Sequence, residues 1–464
     1  MTDMGFLTDA VDGSKVKLGN GERDRHANDW ATEGRVESTP GAVVYPETTE
    51  DVASVVGACD ERGVPVTPYA AGTGLEGNAV PVHGGVSLDM TEMDTVLDVR
   101  PEDFQVDVEP GVYGDDVNEA VEGDGLFFPP LPSSGSISTV GGMVANDAGG
   151  MGTVRYGKVG DWVDELEVVL ADGSVVELGS KAKKTSSGYR MRDLVVGSEG
   201  TLAVVTRATL RLRGIPEQRR GGRATFSSLD AAAGAVFDAV RSEVDVAKIE
   251  LVDATAASMA NDYLGTDLPD APMVFVELHA NHGVENEVEF ARSVFETHDA
   301  ESFEVGAGEE ADGLWELRRE LGVAVRSANP SLEPVHAGDV AVPISEYPAM
   351  VSFIKRLSDE HGVPIPCFGH AGDGNVHYLV LVEKDDEAWR EGVELYDSIV
   401  EHALEVGGTC TAEHGIGLGK RKFMEHEHGE DGVAAMRAVK DALDPNGTLN
   451  PGKVFPDDGG DEIL

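Results

Sequence analysis

The run "FGHAGDGNVHYLVL" sets His370 and His377 seven residues apart. On one continuous strand that odd spacing would point the two imidazoles to opposite faces. The intervening Ala371-Gly372-Asp373-Gly374-Asn375 has the composition of a turn, and a turn cancels the parity and can bring both rings to one point. Further on, "GGTCTAEHGIGLGK" carries Glu413 and His414 between glycines. Two histidines and a carboxylate suit a divalent cation with open positions, such as zinc, manganese or iron(II). Histidines that flank a turn also occur as hydrogen-bonded structural residues, so spacing alone leaves both readings open.

A second chemistry is written in glycine. Gly72, Gly74 and Gly77 in "YAAGTGLEGN" satisfy G-x-G-x-x-G, but a Rossmann turn needs a helix opening within it. Here Pro81, Gly84 and Gly85 break any helical turn, and "GVSLDM" reads as another strand. What remains is a glycine loop between strands, whose amides could nest around an anion; a nicotinamide enzyme is the weaker reading. Phe127–Gly150, "FFPPLPSSGSISTVGGMVANDAGG", holds three prolines, five glycines, four serines and almost no charge. It fits backbone packed against a bulky flat ligand with a diphosphate. Gly197 and Gly200 repeat the theme in "DLVVGSEGTLAVVTRATL".

Several elements must position these groups. Thr48 with Asp51 starts a helix whose Val52, Val55, Val56 and Cys59 share one face, and Gly63 ends it before a strand at 64–69. A short helix runs through Val117, Ala120 and Val121. "DELEVVLADGSVVEL" is a hairpin turning at Asp172-Gly173, and "LVVGSEGTLAVVTRATLRLR" reads as a further strand pair. "GIPEQRRGGR" reads as the linker to a second domain. Beyond it, helices near 229–242, 285–297 and Trp315 alternate with the strands "KIELV", "MVFVELHA", "DVAVPI" and "VPIPCF". That pattern is an antiparallel sheet covered by helices on one face.

The 464 residues require more than one domain. With 85 acidic against 36 basic residues the formal charge is −49, which repels nucleic acid and anionic lipid. Such an exterior fits a protein soluble at high salt, so a halophilic cytoplasm is expected. Cys59, Cys367 and Cys410 form neither a disulfide framework nor a zinc knuckle, as in a reducing compartment. The N-terminus lacks an apolar signal region, and no stretch is apolar enough for a transmembrane segment.

Taken together, the glycine segments resemble the FAD-binding domain of the vanillyl-alcohol oxidase (PCMH) type, whose two α+β subdomains hold FAD without a Rossmann fold. "PYAAGTGLEGN" matches the first diphosphate loop, "PPLPSSGSISTVGGMVANDAGG" the second, and "DLVVGSEGTLAVVTRATLRL" the segment beside flavin and adenine. "NPGKVF" at 450–455 resembles the C-terminal return. Tyr69-Ala70 stands where arginine-glycine is frequent, and Gly74 where serine often stands. The resemblance assigns FAD contacts to Ala71, Gly72, Thr73, Gly74, Leu75, Gly77 and Asn78 in the first loop. In the second it assigns Pro132, Ser133, Ser134, Gly135, Ser136, Thr139, Gly141, Gly142, Asn146 and Gly149. Glu199, Gly200, Val204 and Asn450 complete the set. The loops that usually carry a covalent flavin lack histidine and cysteine, so FAD is expected to be non-covalent.

The H-x-G-D-G-N-x-H and E-H motifs resemble those of FAD-dependent D-2-hydroxyacid dehydrogenases of the D-lactate, glycolate oxidase and D-2-hydroxyglutarate kind. Matched position by position, His370, His377 and Glu413 fall on metal ligands and His414 on the proton acceptor. L-W-x-x-R in "DGLWELRREL" puts Arg318 where a guanidinium holds the substrate carboxylate; a helix-surface salt bridge is the alternative. "GDVAVPISEYP" resembles the D-lactate branch, and Ala337 replaces the lysine of the hydroxyglutarate branch, which favours a short substrate. The resemblance thus implies a D-2-hydroxy acid, D-lactate favoured, oxidised to the 2-oxo acid with hydride passing to flavin N5.

The expected organisation is an N-terminal segment 1–35, an FAD-binding domain 36–215, a substrate or cap domain 216–440 with the metal site, and a returning segment 441–464. The expected partners are the 2-hydroxy acid and an electron acceptor protein or quinone-linked carrier, through which a cytoplasmic protein could associate with a membrane. A flavoprotein subunit of a larger assembly is the alternative. Oligomeric state stays open, a homodimer included.

Overall fold

The computed structural model describes residues 3–30, 32 and 38–456. Residues 1–2, 31, 33–37 and 457–464, on which the 35/36 boundary and the end of the expected returning segment fall, lie outside the described residues. The chain divides into two units: Met1–Gly149, Lys158–Ile215 and Glu413–Leu464 form one, Gly150–Gly157 and Pro216–Ala412 the other.

In the first unit, Thr48 Oγ accepts from Asp51 N at 3.2 Å and starts the helix Thr49–Asp60. Its Val52, Val55, Val56 and Cys59 are fully buried, as 3- and 4-residue spacing requires. They cover a four-stranded sheet ordered Val16–Lys17, Ala42–Val44, Val86–Asp89, Val66–Tyr69, the last three parallel. Residues 70–85 join two parallel neighbours with no helix between, which removes the Rossmann reading of G-x-G-x-x-G. The C-terminal segment adds to the edge: Val66 N donates to Thr448 O at 2.7 Å, and Asn450 N to Val66 O at 2.8 Å. A five-stranded antiparallel sheet follows in the order Val96–Arg100, Gln105–Val108, Val204–Arg211, Val163–Val169, Val175–Gly179.

The stretch "LVVGSEGTLAVVTRATLRLR" is not a strand pair. Its first two residues end the helix Met191–Val195, and a turn then leads to the strand Val204–Arg211. Gly197, Glu199 and Gly200 all have positive φ, which no strand accommodates. The second glycine cluster also contains a helix, Val140–Asn146, capped by Thr139. The chain rejoins this unit at Glu413, ahead of the expected 441, because the backbone beyond it bonds here: Leu418 N donates to Glu76 O at 2.7 Å.

The second unit is built on a seven-stranded antiparallel sheet. Its order is Ala300–Gly306, Gln218–Phe226, Met273–Ala280, Val246–Val252, Cys367–Gly369, Asn375–Glu383, Leu332–Ala341. The expected linker "GIPEQRRGGR" is mostly the strand Gln218–Phe226. Its glycines mark close packing: a Cβ on Gly221 would lie 2.8 Å from Ala311 Cβ, and one on Gly222 2.9 Å from Glu304 O. The α+β class stands, with helices on both faces of the sheet instead of one. Gly221 meets the helix Glu309–Ser327, and the next side chain, Arg220, reaches Glu285 of the helix Val284–Glu296 at 2.6 Å. Strand alternation sends neighbouring residues to opposite faces, so the two helices lie on opposite sides of this strand. Gly150–Gly157 joins this unit through Tyr156, whose hydroxyl lies 2.7 Å from His279 Nδ1. Cys59, Cys367 and Cys410 are buried and form no disulfide among the described residues. Among the described residues no helix is long and apolar enough to cross a membrane.

Candidate functional site

A cleft of about 610 Å³ opens in the first unit between the two glycine segments. Ala71, Gly72 and Thr73 line it from the first loop and Ser136 from the second, together with Asn28, Asp29, Trp30, Tyr69, Tyr113 and Ile137. Gly72 has φ +65°, and a Cβ there would sit 2.3 Å from the Tyr69 hydroxyl. The two loops are tied together by hydroxyls: Thr73 Oγ1 lies 3.2 Å from Ser138 Oγ, which donates to Ser134 Oγ at 2.8 Å. Gly135 N closes the Pro132–Gly135 turn on Pro132 O at 3.0 Å, with Ser133 exposed on it. Thr139, Gly141 and Gly142 open the helix Val140–Asn146, where a Cβ on Gly141 would meet Pro110 at 2.7 Å. Gly149 is buried beyond it, and Leu75 is half-buried between Gly74 and Gly77.

The remaining expected contacts of this unit sit mainly in scaffold. Val204 opens a strand inside the apolar core. Glu199 is buried; burial raises its pKa against the hydrogen bonds that favour the anion. It accepts from Asn78 Nδ2 at 2.6 Å, Ile416 N at 2.7 Å and Gly417 N at 2.8 Å. Asn450 Nδ2 donates to the carbonyls of Asn78 at 2.9 Å and Glu199 at 2.7 Å. A Cβ on Gly200 would meet Pro68 at 2.9 Å. This network holds the segment that begins Glu413-His414. The His414 carbonyl accepts from Asn146 Nδ2 at 3.1 Å and Asn78 Nδ2 at 3.4 Å. Its Nδ1 stands 3.8 Å from Oε1 of the buried Glu76, which also pairs with Lys420 Nζ at 3.2 Å.

In the second unit the strands Cys367–Gly369 and Asn375–Glu383 are antiparallel neighbours with Phe368 opposite His377. Residues 371–374 make the turn between them, so the His370 and His377 rings approach to 4.9 Å between centroids. One ring nitrogen of each lies within 4.8 Å of the other. His370 Nδ1 is 2.7 Å from Glu250 Oε1, and Glu250 Oε2 is 2.5 Å from Arg318 Nη2. Burial opposes ionisation of Glu250, yet Arg318 and His370 outweigh it and hold its pKa below the usual carboxylate value. His370 Nδ1 is therefore the donor. Arg318 is 4% exposed, lies over Phe368 at 5.3 Å, and keeps a buried Nε and Nη2 without hydrogen-bond partners among the described residues. It is no surface salt bridge.

His377 Nδ1 faces Asp339 Oδ1 at 3.6 Å. The fully buried Asp339 accepts from Asn375 Nδ2 at 2.8 Å, Thr411 Oγ1 at 3.0 Å and Ala412 N at 2.9 Å. Glu413 and His414 follow Ala412 directly in the chain and belong to the first unit. Sequence reasoning passed over Glu76, Glu250 and Asp339. The available signal was an acid inside an otherwise apolar strand, as in "AKIELV", or inside a glycine loop.

Residues 40–179 match the FAD binding domain family, and residues 215–454 match the family of FAD linked oxidases, C-terminal domain. A probable mitochondrial D-lactate dehydrogenase of Danio rerio is 34% identical over 446 residues, covering 95% of this chain and 89% of its own. Glycolate oxidase subunit GlcD of Bacillus subtilis (strain 168) is 36% identical over 435 residues, 92% of each chain. Among solved structures, 4-ethylphenol oxidase from Gulosibacter chungangensis superposes with a TM-score of 0.79 at 21% identity, covering 97% of this chain and 95% of its own. p-Cresol methylhydroxylase gives 0.79 at 17% identity, over 98% and 96%. Two family matches, near-full-length relatives and a shared vanillyl-alcohol oxidase-type fold make this chain a member of the FAD-linked oxidases, an FAD-binding oxidoreductase.

Proposed function

We propose that the protein oxidises a short D-2-hydroxy acid, D-lactate favoured, to the 2-oxo acid and passes the electrons to a carrier other than NAD. The observation that carries this reading is the Arg318–Glu250–His370 chain beside His377. The donor set fits a divalent cation: each histidine turns Nδ1 toward a buried carboxylate, the arrangement that orients imidazole ligands. Glu413 is proposed as the third ligand, one peptide (about 3.8 Å between Cα atoms) beyond Ala412, whose N–H is anchored on Asp339. The glycine-lined cleft fits the FAD diphosphate, because only bare backbone lets a polyanion approach the amides.

When bound, FAD supplies the two-electron sink at N5 and the cation supplies a Lewis acid for the substrate oxygens. The chain's own groups do the rest. Arg318 has a buried, unsatisfied Nε–H, a donor that costs about 1–3 kcal/mol until an acceptor arrives; a substrate carboxylate is that acceptor. His414, its Nδ1 turned toward Glu76, takes the hydroxyl proton at Nε2. Ala337 offers no charge to a distal carboxylate, which supports a short acid.

The test is anaerobic stopped-flow of the yellow protein with D-lactate, L-lactate, glycolate and D-2-hydroxyglutarate. D-lactate should bleach the flavin fastest; no bleaching by any of them refutes the reading. Glycolate as the best substrate would favour the second reading, supported by the GlcD relative, of a flavoprotein subunit in a larger assembly. EDTA should stop turnover and spare the flavin spectrum, and full activity in metal-free enzyme removes the ligand assignment. His414→Ala should slow flavin reduction by about 10²–10⁴-fold; an unchanged rate excludes it as the base.

A further inference from the structure

We propose that Glu250 is a positioning residue that sets the imidazole of His370 and the guanidinium of Arg318 with one carboxylate; the inference rests on the metal-dependent reading above. Glu250 is 0% exposed in the strand Val246–Val252, flanked by Ile249 and Leu251 at 1% each. A buried ion pair is often no more stable than an apolar pair of the same volume, so core packing alone does not call for an acid here. Its oxygens are divided: Oε1 accepts from His370 Nδ1 at 2.7 Å, and Oε2 forms an ion pair with Arg318 Nη2 at 2.5 Å without hydrogen-bond geometry.

The division has a consequence for each partner. A carboxylate only accepts, so in the neutral His370 ring the proton sits on Nδ1 and the lone pair on Nε2, the nitrogen that would ligate. Arg318 is held beside Glu250 by this ion pair, while its Nε and Nη2 both stay buried without a hydrogen-bond partner among the described residues. The adjacent strand carries a matched control. Glu277 is likewise 1% exposed, but it pairs with His279 at 2.6 Å, Lys248 at 3.1 Å and Arg219 at 3.4 Å. Those residues stand in neither the H-x-G-D-G-N-x-H nor the L-W-x-x-R motif.

Glu250→Gln separates positioning from packing because an amide has one acceptor oxygen. The charged guanidinium draws that oxygen more strongly, so the NH2 group faces His370 Nδ1 and pushes the imidazole proton onto Nε2. Zn2+ and Mn2+ titrations of the FAD-loaded, metal-stripped protein should show affinity lowered about 10–100-fold. FAD content should stay that of wild type, and saturating Zn2+ or Mn2+ should restore most of the lost kcat. Glu277→Gln should leave metal affinity unchanged. If Glu250→Gln does not fold, the apolar pair Glu250→Leu/Arg318→Met replaces the ion pair, and the same loss of metal affinity is expected of it. Wild-type affinity in the variant that folds, beside a wild type that needs metal, overturns the inference alone. A wild type that binds neither ion and keeps full activity in EDTA removes the metal reading and the inference with it.

Discussion

Asp339 is where one substitution should disturb most at once. Its carboxylate accepts from Asn375 Nδ2, Thr411 Oγ1 and the Ala412 amide, and faces His377 Nδ1. Asp339→Asn keeps the shape and leaves one acceptor oxygen. With that oxygen toward Thr411 and Ala412, two charge-assisted bonds become neutral ones, at about 1 kcal/mol each. The new NH2 group then faces the Asn375 amide, whose Nδ2 also donates to Val340 O at 3.1 Å, so flipping Asn375 loses that bond instead. One buried donor stays unsatisfied, at about 1–3 kcal/mol. The easier burial of a neutral side chain offsets part of this, for a net loss of about 2–4 kcal/mol.

For a unit of this size that loss lowers Tm by roughly 4–16 °C, read by calorimetry of the FAD-loaded protein. Thr411→Val, which removes one of the three bonds, should cost about 1 kcal/mol. Hydrogen exchange gives the local check. The Ala412 amide should be protected in wild type and lose protection in Asp339→Asn. A Tm within 1 °C of wild type, or unchanged exchange at Ala412, would refute the idea that this aspartate anchors the approach to Glu413.

Gly72→Ala forces φ +65° on a residue with a Cβ and drives that Cβ to 2.3 Å from the Tyr69 hydroxyl. We expect a loss of about 1–2 kcal/mol and weaker FAD retention, since both residues line the cleft; a wild-type FAD dissociation constant would refute it. Lys453 donates to Val80 O at 2.5 Å and to Asn450 Oδ1 at 3.2 Å, and burial pushes its pKa down from 10.5 to about 7. Between those values the unfolded chain holds the proton and the folded one does not, so stability rises with pH across this window, by up to about 1.4 kcal/mol per unit. Lys453→Met should remove that slope in urea unfolding at pH 7, 8 and 9; parallel wild-type and variant curves would count against it.

Elements with a strong period were legible in the sequence. The buried face of Thr49–Asp60, the Asp172-Gly173 hairpin and the strand Met273–Ala280 all stand where the pattern puts them. So does the turn that cancels the His370/His377 parity, because glycine and Asx residues state it locally. The linker reading of "GIPEQRRGGR" fails because its glycines serve packing: Gly221 and Gly222 admit close neighbours inside a strand. The roles of Glu250 and Asp339 were illegible for a different reason. A lone acid in a strand acquires meaning only from partners that topology brings from elsewhere in the chain, Glu250 from 318 and 370, Asp339 from 375 and 411–412.

Pairing a histidine with a buried acid does not by itself set the proposed site apart in this chain; which nitrogen the acid meets does. His26 and His279 present Nε2 to Asp89 and Glu277 at 2.7 and 2.6 Å, while Nδ1 lies 2.9 Å from Glu22 O and 2.7 Å from the Tyr156 hydroxyl. Both nitrogens of each ring are spent on the protein, so neither ring can ligate a metal or move a substrate proton. His370, His377 and His414 turn the other way: Nδ1 faces Glu250, Asp339 and Glu76 at 2.7, 3.6 and 3.8 Å. Nδ1 is the nitrogen nearer the backbone. At His370 the hydrogen bond anchors the ring at its base and, in the neutral ring, places the lone pair at the tip, the orientation a ligand or a general base requires, whereas Asp339 and Glu76 face their rings from beyond hydrogen-bond reach. The same chemistry, imidazole against carboxylate, thus serves as structural cement in one orientation and, in the proposed site, occurs in the other. The three histidines in the second orientation are those that the glycine-framed motifs single out.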